Sequence, residues 1–117
     1  MLPKTNRIKK KKDFEAIFKK SKSFRDDLFV SKVAYNNLGL NRYGFVVSQK
    51  VSKKATIRNK VRRRLAEAIK AEAGGMKNGI DIVFIALSGI EKKDFKDIKE
   101  AVKKTLAREK LIVSTSK

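Results

Sequence analysis

The chain has 117 residues, carries 31 Lys and Arg against 12 Asp and Glu for a formal net charge of +19, and contains neither Cys nor His. The missing Cys excludes disulfides, thiolate metal sites and cysteine nucleophiles, and the missing His removes the usual general base and the commonest zinc ligand. At this length a single domain spanning 1–117 is expected, with a 41% hydrophobic share spread along the chain to supply its core.

So large an excess of positive charge repels itself, so salt, anions or a bound polyanion should stabilise the fold. The commonest cellular polyanion is RNA or DNA, which makes nucleic acid the expected partner. No segment approaches the roughly twenty apolar residues needed to span a bilayer, and the basic start is not followed by an apolar run of signal-peptide length. A soluble cytoplasmic protein with no membrane partner is expected.

Along the chain, residues 1–11 form a basic leader, expected to be flexible, with the only proline, Pro3. Residues 12–20 place Phe14, Ile17 and Phe18 at i, i+3 and i+4, with Asp13 and Glu15 in the first turn and Lys19 and Lys20 in the last, a short amphipathic helix. Residues 28–35 alternate as a strand, Phe29, Ser31, Val33 and Tyr35 on one side and Val30, Lys32 and Ala34 on the other. After the turn-rich Asn36-Asn37-Leu38-Gly39, residues 43–49 are rich in β-formers and are expected to pair with the preceding strand.

Residues 55–73 set Ile57, Val61, Leu65 and Ile69 at successive i+4 steps, with Asn59, Arg62 and Arg63 projecting from the other side of the same helix. Gly74-Gly75 closes it, Asn78-Gly79 turns the chain, and residues 80–87 are a near-continuous apolar run expected of a buried strand. A final helix over 94–108 carries Phe95, Ile98, Val102 and Leu106 along one side, and nothing in the tail, 113–117, would order it. Phe29, Phe45, Phe84 and Phe95 are assigned to the core.

No acidic residue occurs between Asp27 and Glu67, and residues 50–64 hold eight cations in fifteen positions. A run of charge alone usually marks a solvated helix face; here no Glu is interleaved at i+4 to neutralise it, which favours phosphate binding. Arg58 lies at the edge of the apolar stripe, where it could instead brace the helix. Asp13, Glu15, Asp26 and Asp27 match no closed metal site and read as helix-end or turn residues, so no protein metal ligand and no catalytic side chain is assigned.

The segment Gly44-Phe45-Val46-Val47-Ser48-Gln49-Lys50-Val51-Ser52-Lys53-Lys54-Ala55-Thr56-Ile57-Arg58-Asn59-Lys60-Val61-Arg62-Arg63 resembles the protein subunit of bacterial ribonuclease P, whose signature is a strand running into an Arg-Asn-x-x-(Lys/Arg)-Arg helix. The resemblance extends to Arg7-Ile8-Lys9-Lys10 with Asp13-Phe14 and Phe18, and to the order of elements. It implies an α/β (α+β) two-layer sandwich in α-β-β-α-β-α order around a small mixed sheet, with room for an extra short strand and a left-handed β-α-β crossover, against the usual right-handed rule.

The resemblance also implies a division of labour. A catalytic RNA subunit with Mg²⁺ hydrolyses the phosphodiester at the 5′ end of mature tRNA, while the protein steadies that RNA and binds the single-stranded leader of precursor tRNA. Carried onto this chain, it puts Lys53, Lys54, Arg58, Asn59, Lys60, Arg62 and Arg63 against the RNA subunit, and Phe14, Phe18, Val30 and Lys32 along the leader. Aromatics one turn apart on a helix are otherwise more often buried. The chain departs from the family pattern at Lys60, which lacks the bidentate fork of an Arg, at Gln49, at Ala66, and at Lys32, where an aromatic is common. The rival from another class is a basic structural ribosomal protein, which would have no use for an aromatic cleft; a membrane-surface binder would need an apolar face with no core to join.

Overall fold

The structure, a computed structural model, describes residues 6–8, 10–109 and 111, without the side chain of Ala73. Its elements run α1 (Lys11–Lys20), β1 (Lys22–Arg25), β2 (Phe29–Tyr35), β3 (Arg42–Val46), α2 (Ala55–Glu72), β4 (Ile80–Ala86) and α3 (Phe95–Arg108). The strands form one mixed sheet in the order β1-β2-β4-β3. β4 lies antiparallel to β2 and parallel to β3, so β3, α2 and β4 make a crossover unit.

That order corrects the expected pairing of the second long strand with the first. β4 separates them, because its apolar run, Ile80 to Ala86, is the segment able to be buried on both faces and therefore belongs in the middle. The extra short strand is β1, whose register sets Phe24 opposite Ser31.

Alternation along the strands gives the sheet two apolar faces. On one, Phe29, Tyr43, Ile80, Ile82 and Phe84 pack with Val61, Leu65 and Ile69 of α2 and Ile98, Val102 and Leu106 of α3 as the main core. On the other, α1 sets Ile17 into a small core with Ile8, Ala34 and Val83. Of the stripes read from the sequence, Val61, Leu65 and Ile69 of α2 and Ile98, Val102 and Leu106 of α3 are buried, and Ile57 is half-buried. α3 begins at an Asp94 cap whose carboxylate accepts from the Asp97 amide at 3.1 Å.

Of the four phenylalanines assigned to the core, Phe29 and Phe84 are fully buried, but Phe95 is 37% exposed and Phe45 is half-buried. Phe95 is the first residue of α3 and overhangs the end of the stripe that buries Ile98. The basic leader is also partly built into the fold. Asn6 donates to the Asn41 carbonyl at 2.7 Å, the Ile8 amide donates to the Tyr43 carbonyl at 2.8 Å, and Ile8 is buried. The rest of the leader, residues 1–5 and 9, and the tail, 112–117, lie outside the described residues.

Candidate nucleic-acid interface

α1 packs on the sheet with Phe14 of its first turn over β3 and Phe18 beside β2. Phe14 lies on Gly44, where a Cβ would come within 2.7 Å of the ring, so the glycine creates the seat that the ring occupies. Phe18, one turn on, meets Phe14 edge-on at 6.3 Å and is 42% exposed. Lys32 reaches across from β2 to place Nζ 5.8 Å from the Phe18 centroid and donates to Ser23 Oγ at 2.6 Å. Val30 lies on the same face of β2, half-buried. The structure thus brings Phe14, Phe18 and Lys32 into one cluster with Val30 farther along the strand, a half-open surface of aromatic rings beside a cation.

A charge network that the sequence pattern does not disclose fixes this arrangement. Asp81, in the middle of the apolar strand, is buried and receives two bonds from Arg42, Nε to Oδ1 at 2.9 Å and Nη2 to Oδ2 at 2.8 Å. Asn36 adds a third at 2.7 Å. The other side of the guanidinium reaches Asp13 of α1 at 3.7 Å. The hydrogen bond to Asp81 raises the Arg42 pKa, with burial opposing it and the charges of Asp81 and Asp13 adding to it. The available signal was the lone acid in Ile80-Asp81-Ile82: a carboxylate buried in a strand requires a partner.

The cations of α2 divide into two kinds. Arg58 Nη1 donates to the Ser52 and Lys53 carbonyls, both at 3.0 Å, closing the turn that leads into the helix. Arg62 donates to Asn59 Oδ1 at 2.6 Å and reaches the Val47 carbonyl at 3.5 Å, so it ties the helix to the end of β3 and does not project freely as its spacing suggests. Arg64 donates to the Lys93 carbonyl at 2.6 Å. Lys53, Lys54, Lys60 and Arg63 are exposed, and their charged side-chain groups have no hydrogen-bond or ion-pair partner among the described residues. These four present a row of uncompensated charge at the start and along one side of α2, held in place by the arginines that bind backbone.

The sequence profile of the family described as ribonuclease P matches residues 2–110. The chain belongs to the ribonuclease P protein family. A ribonuclease P protein component from Clostridium botulinum (strain 657 / Type Ba4) is 40% identical over 100 residues, covering 85% of this chain and 89% of that protein. The solved ribonuclease P protein of Staphylococcus aureus superposes with a TM-score of 0.84 at 30% identity, covering 92% of this chain and 97% of that one. That of Thermotoga maritima gives 0.79 at 33% identity, covering 87% and 96%. The mixed α+β fold is therefore that of the family, and a structural ribosomal protein finds no support. Among the described residues no helix is long and apolar enough to cross a membrane.

Proposed function

We propose that the chain is the protein subunit of ribonuclease P and acts in removal of the leader from precursor tRNA, with the α2 surface on the catalytic RNA and the α1 surface on the leader. The observation that carries the reading is the segregation of the two surfaces. Lys53, Lys54, Lys60 and Arg63 offer exposed charge, suited to the phosphates of a folded RNA. Phe14, Phe18 and Lys32 offer rings with a cation, suited to unstacked bases of a single strand. Arg58, Arg62 and Asn59 act in this reading by shaping the RNA surface.

Hydrolysis belongs to the RNA subunit. Asp13 and Asp81 both face Arg42 and serve the fold in this reading. In this reading Mg²⁺ acts with the phosphates of the RNA.

The test is reconstitution with a ribonuclease P RNA transcript and precursor tRNA. The protein alone is expected not to cleave, and its addition to the transcript is expected to lower the Mg²⁺ needed. Specific cleavage by nuclease-treated protein would overturn the division of labour. Binding of the transcript should weaken with salt, and Lys60→Ala with Arg63→Ala should make the slope of log K against log salt shallower by about 0.7 to 0.9 for each phosphate left unneutralised.

A further inference from the structure

A cavity of about 660 Å³ opens between α2, β3 and the start of α3. It lies on the main-core side of the sheet, opposite the face that carries Phe14 and Phe18. Phe45, Ala66 and Phe95 give it an apolar lining, and Arg7 and Arg63 bring positive charge to it. Glu67, which already has a partner, also borders it. Its volume falls within the roughly 300 to 1,000 Å³ of pockets that hold small molecules.

Three features narrow the occupant. Phe45 is covered by Phe84, stacked at 6.0 Å with the planes 6° apart, which holds its ring in a fixed orientation. Phe95, the first residue of α3, is a large aromatic left 37% exposed at the edge of the cavity. Arg7 Nε is buried beside the cavity and has no hydrogen-bond partner among the described residues, a donor whose loss of water is uncompensated until an acceptor arrives. Rings for a flat group and guanidinium groups for an anion, side by side, describe a nucleotide. The neighbouring Arg62 and Arg64 are fixed to the Val47 and Lys93 carbonyls, so the walls are preformed.

We propose that this cavity receives one unpaired nucleotide of the RNA bound by α2, its base against Phe95 and Phe45 and its phosphate on Arg63 and Arg7. The inference rests on the proposed role of α2 and adds to it a point of recognition: a helix face of lysines reads only phosphates, whereas a socket for a base selects a site where the RNA is unstacked.

The test is titration of the full chain with adenosine monophosphate, followed by NMR of the phenylalanine rings. The Phe45 and Phe95 resonances are expected to shift, and inorganic phosphate at the same concentration is expected to leave them in place. Phe95→Ala should weaken the mononucleotide roughly five- to a hundredfold and weaken the RNA transcript without altering its salt slope, since a stack is lost and no charge is removed. The denaturation midpoint of the variant reports its folding, and the wild-type titration stands without it. Shifts confined to Phe14 and Phe18, shifts reproduced by phosphate, or shifts produced by tetraglutamate and not by the mononucleotide would each overturn the proposal. If wild-type protein binds the transcript with a steep salt slope and folded Phe95→Ala binds equally well, the socket is wrong while the α2 surface stands. If the transcript does not bind at all, the α2 reading fails and the ring shifts alone decide the socket.

Discussion

Val83 and Phe84 are successive residues of β4 and both are fully buried, but they belong to different cores. Phe84 points to α2 and α3, where Phe29 meets it edge-on at 5.1 Å and Phe45 stacks on its ring. Val83 points to α1, where its buried neighbours are Ile8, Ile17 and Ala34, and where Phe14, Val46 and Ile85 stay half open. A dense core on one side allows a thin one on the other. The thin side can then keep rings at its surface without risking the fold, and the ion pair from Arg42 to Asp13 helps to hold α1 where apolar area is scarce.

The contrast between the two faces is most exposed to test at Phe84. Phe84→Ala should cost about 3 to 5 kcal/mol in chemical denaturation, and an equal loss from the smaller Val83→Ala would mean that the two faces contribute alike. Arg42→Ala comes next, at about 3 kcal/mol, because it leaves the Asp81 carboxylate, 2% exposed, buried without its cation. It should also loosen α1, seen as faster amide exchange at Ile17 than at Leu65. Gly44→Ala is expected to cost about 1 to 3 kcal/mol by pushing the Phe14 ring off its seat, and to weaken precursor tRNA more than mature tRNA in the reconstituted enzyme. A variant that loses stability but binds both RNAs as before would separate the Phe14 seat from the leader surface.

Much of this was legible in the sequence because it is local. The i+4 stripes of α2 and α3, the alternation of β2 and the apolar run of β4 each depend on residues within one element, and the family motif lies within a single strand-to-helix segment. What escaped depends on partners far along the chain. The place of β3 at the sheet edge is decided by β4, which follows it by a whole helix, and β1 is four residues, Lys-Ser-Phe-Arg, too short and charged to register as a strand. Periodicity puts Arg62 on the polar side of α2, but only the fold brings the Val47 carbonyl to it. Likewise Phe95 fits the apolar stripe by spacing, but the fold leaves it 37% exposed beside an open cavity.

The smallest expected change in stability tests the leader surface most directly. Phe18 is 42% exposed, and beside its partial burial it meets the edge of Phe14 and the ammonium of Lys32, the cation contact worth roughly 0.5 to 1 kcal/mol at an exposed site. Phe18→Ala should therefore lower the stability of the protein by about 1 to 2 kcal/mol. If its ring stacks on a leader base, the same change should reduce affinity for precursor tRNA by roughly five- to a hundredfold and leave mature tRNA unaffected, since only the precursor carries a leader. Equilibrium binding of both RNAs to the reconstituted enzyme reads the difference directly. Equal losses would return Phe18 to the role of a cover for the thin core, and the open face of the sheet would then need another reason to be open.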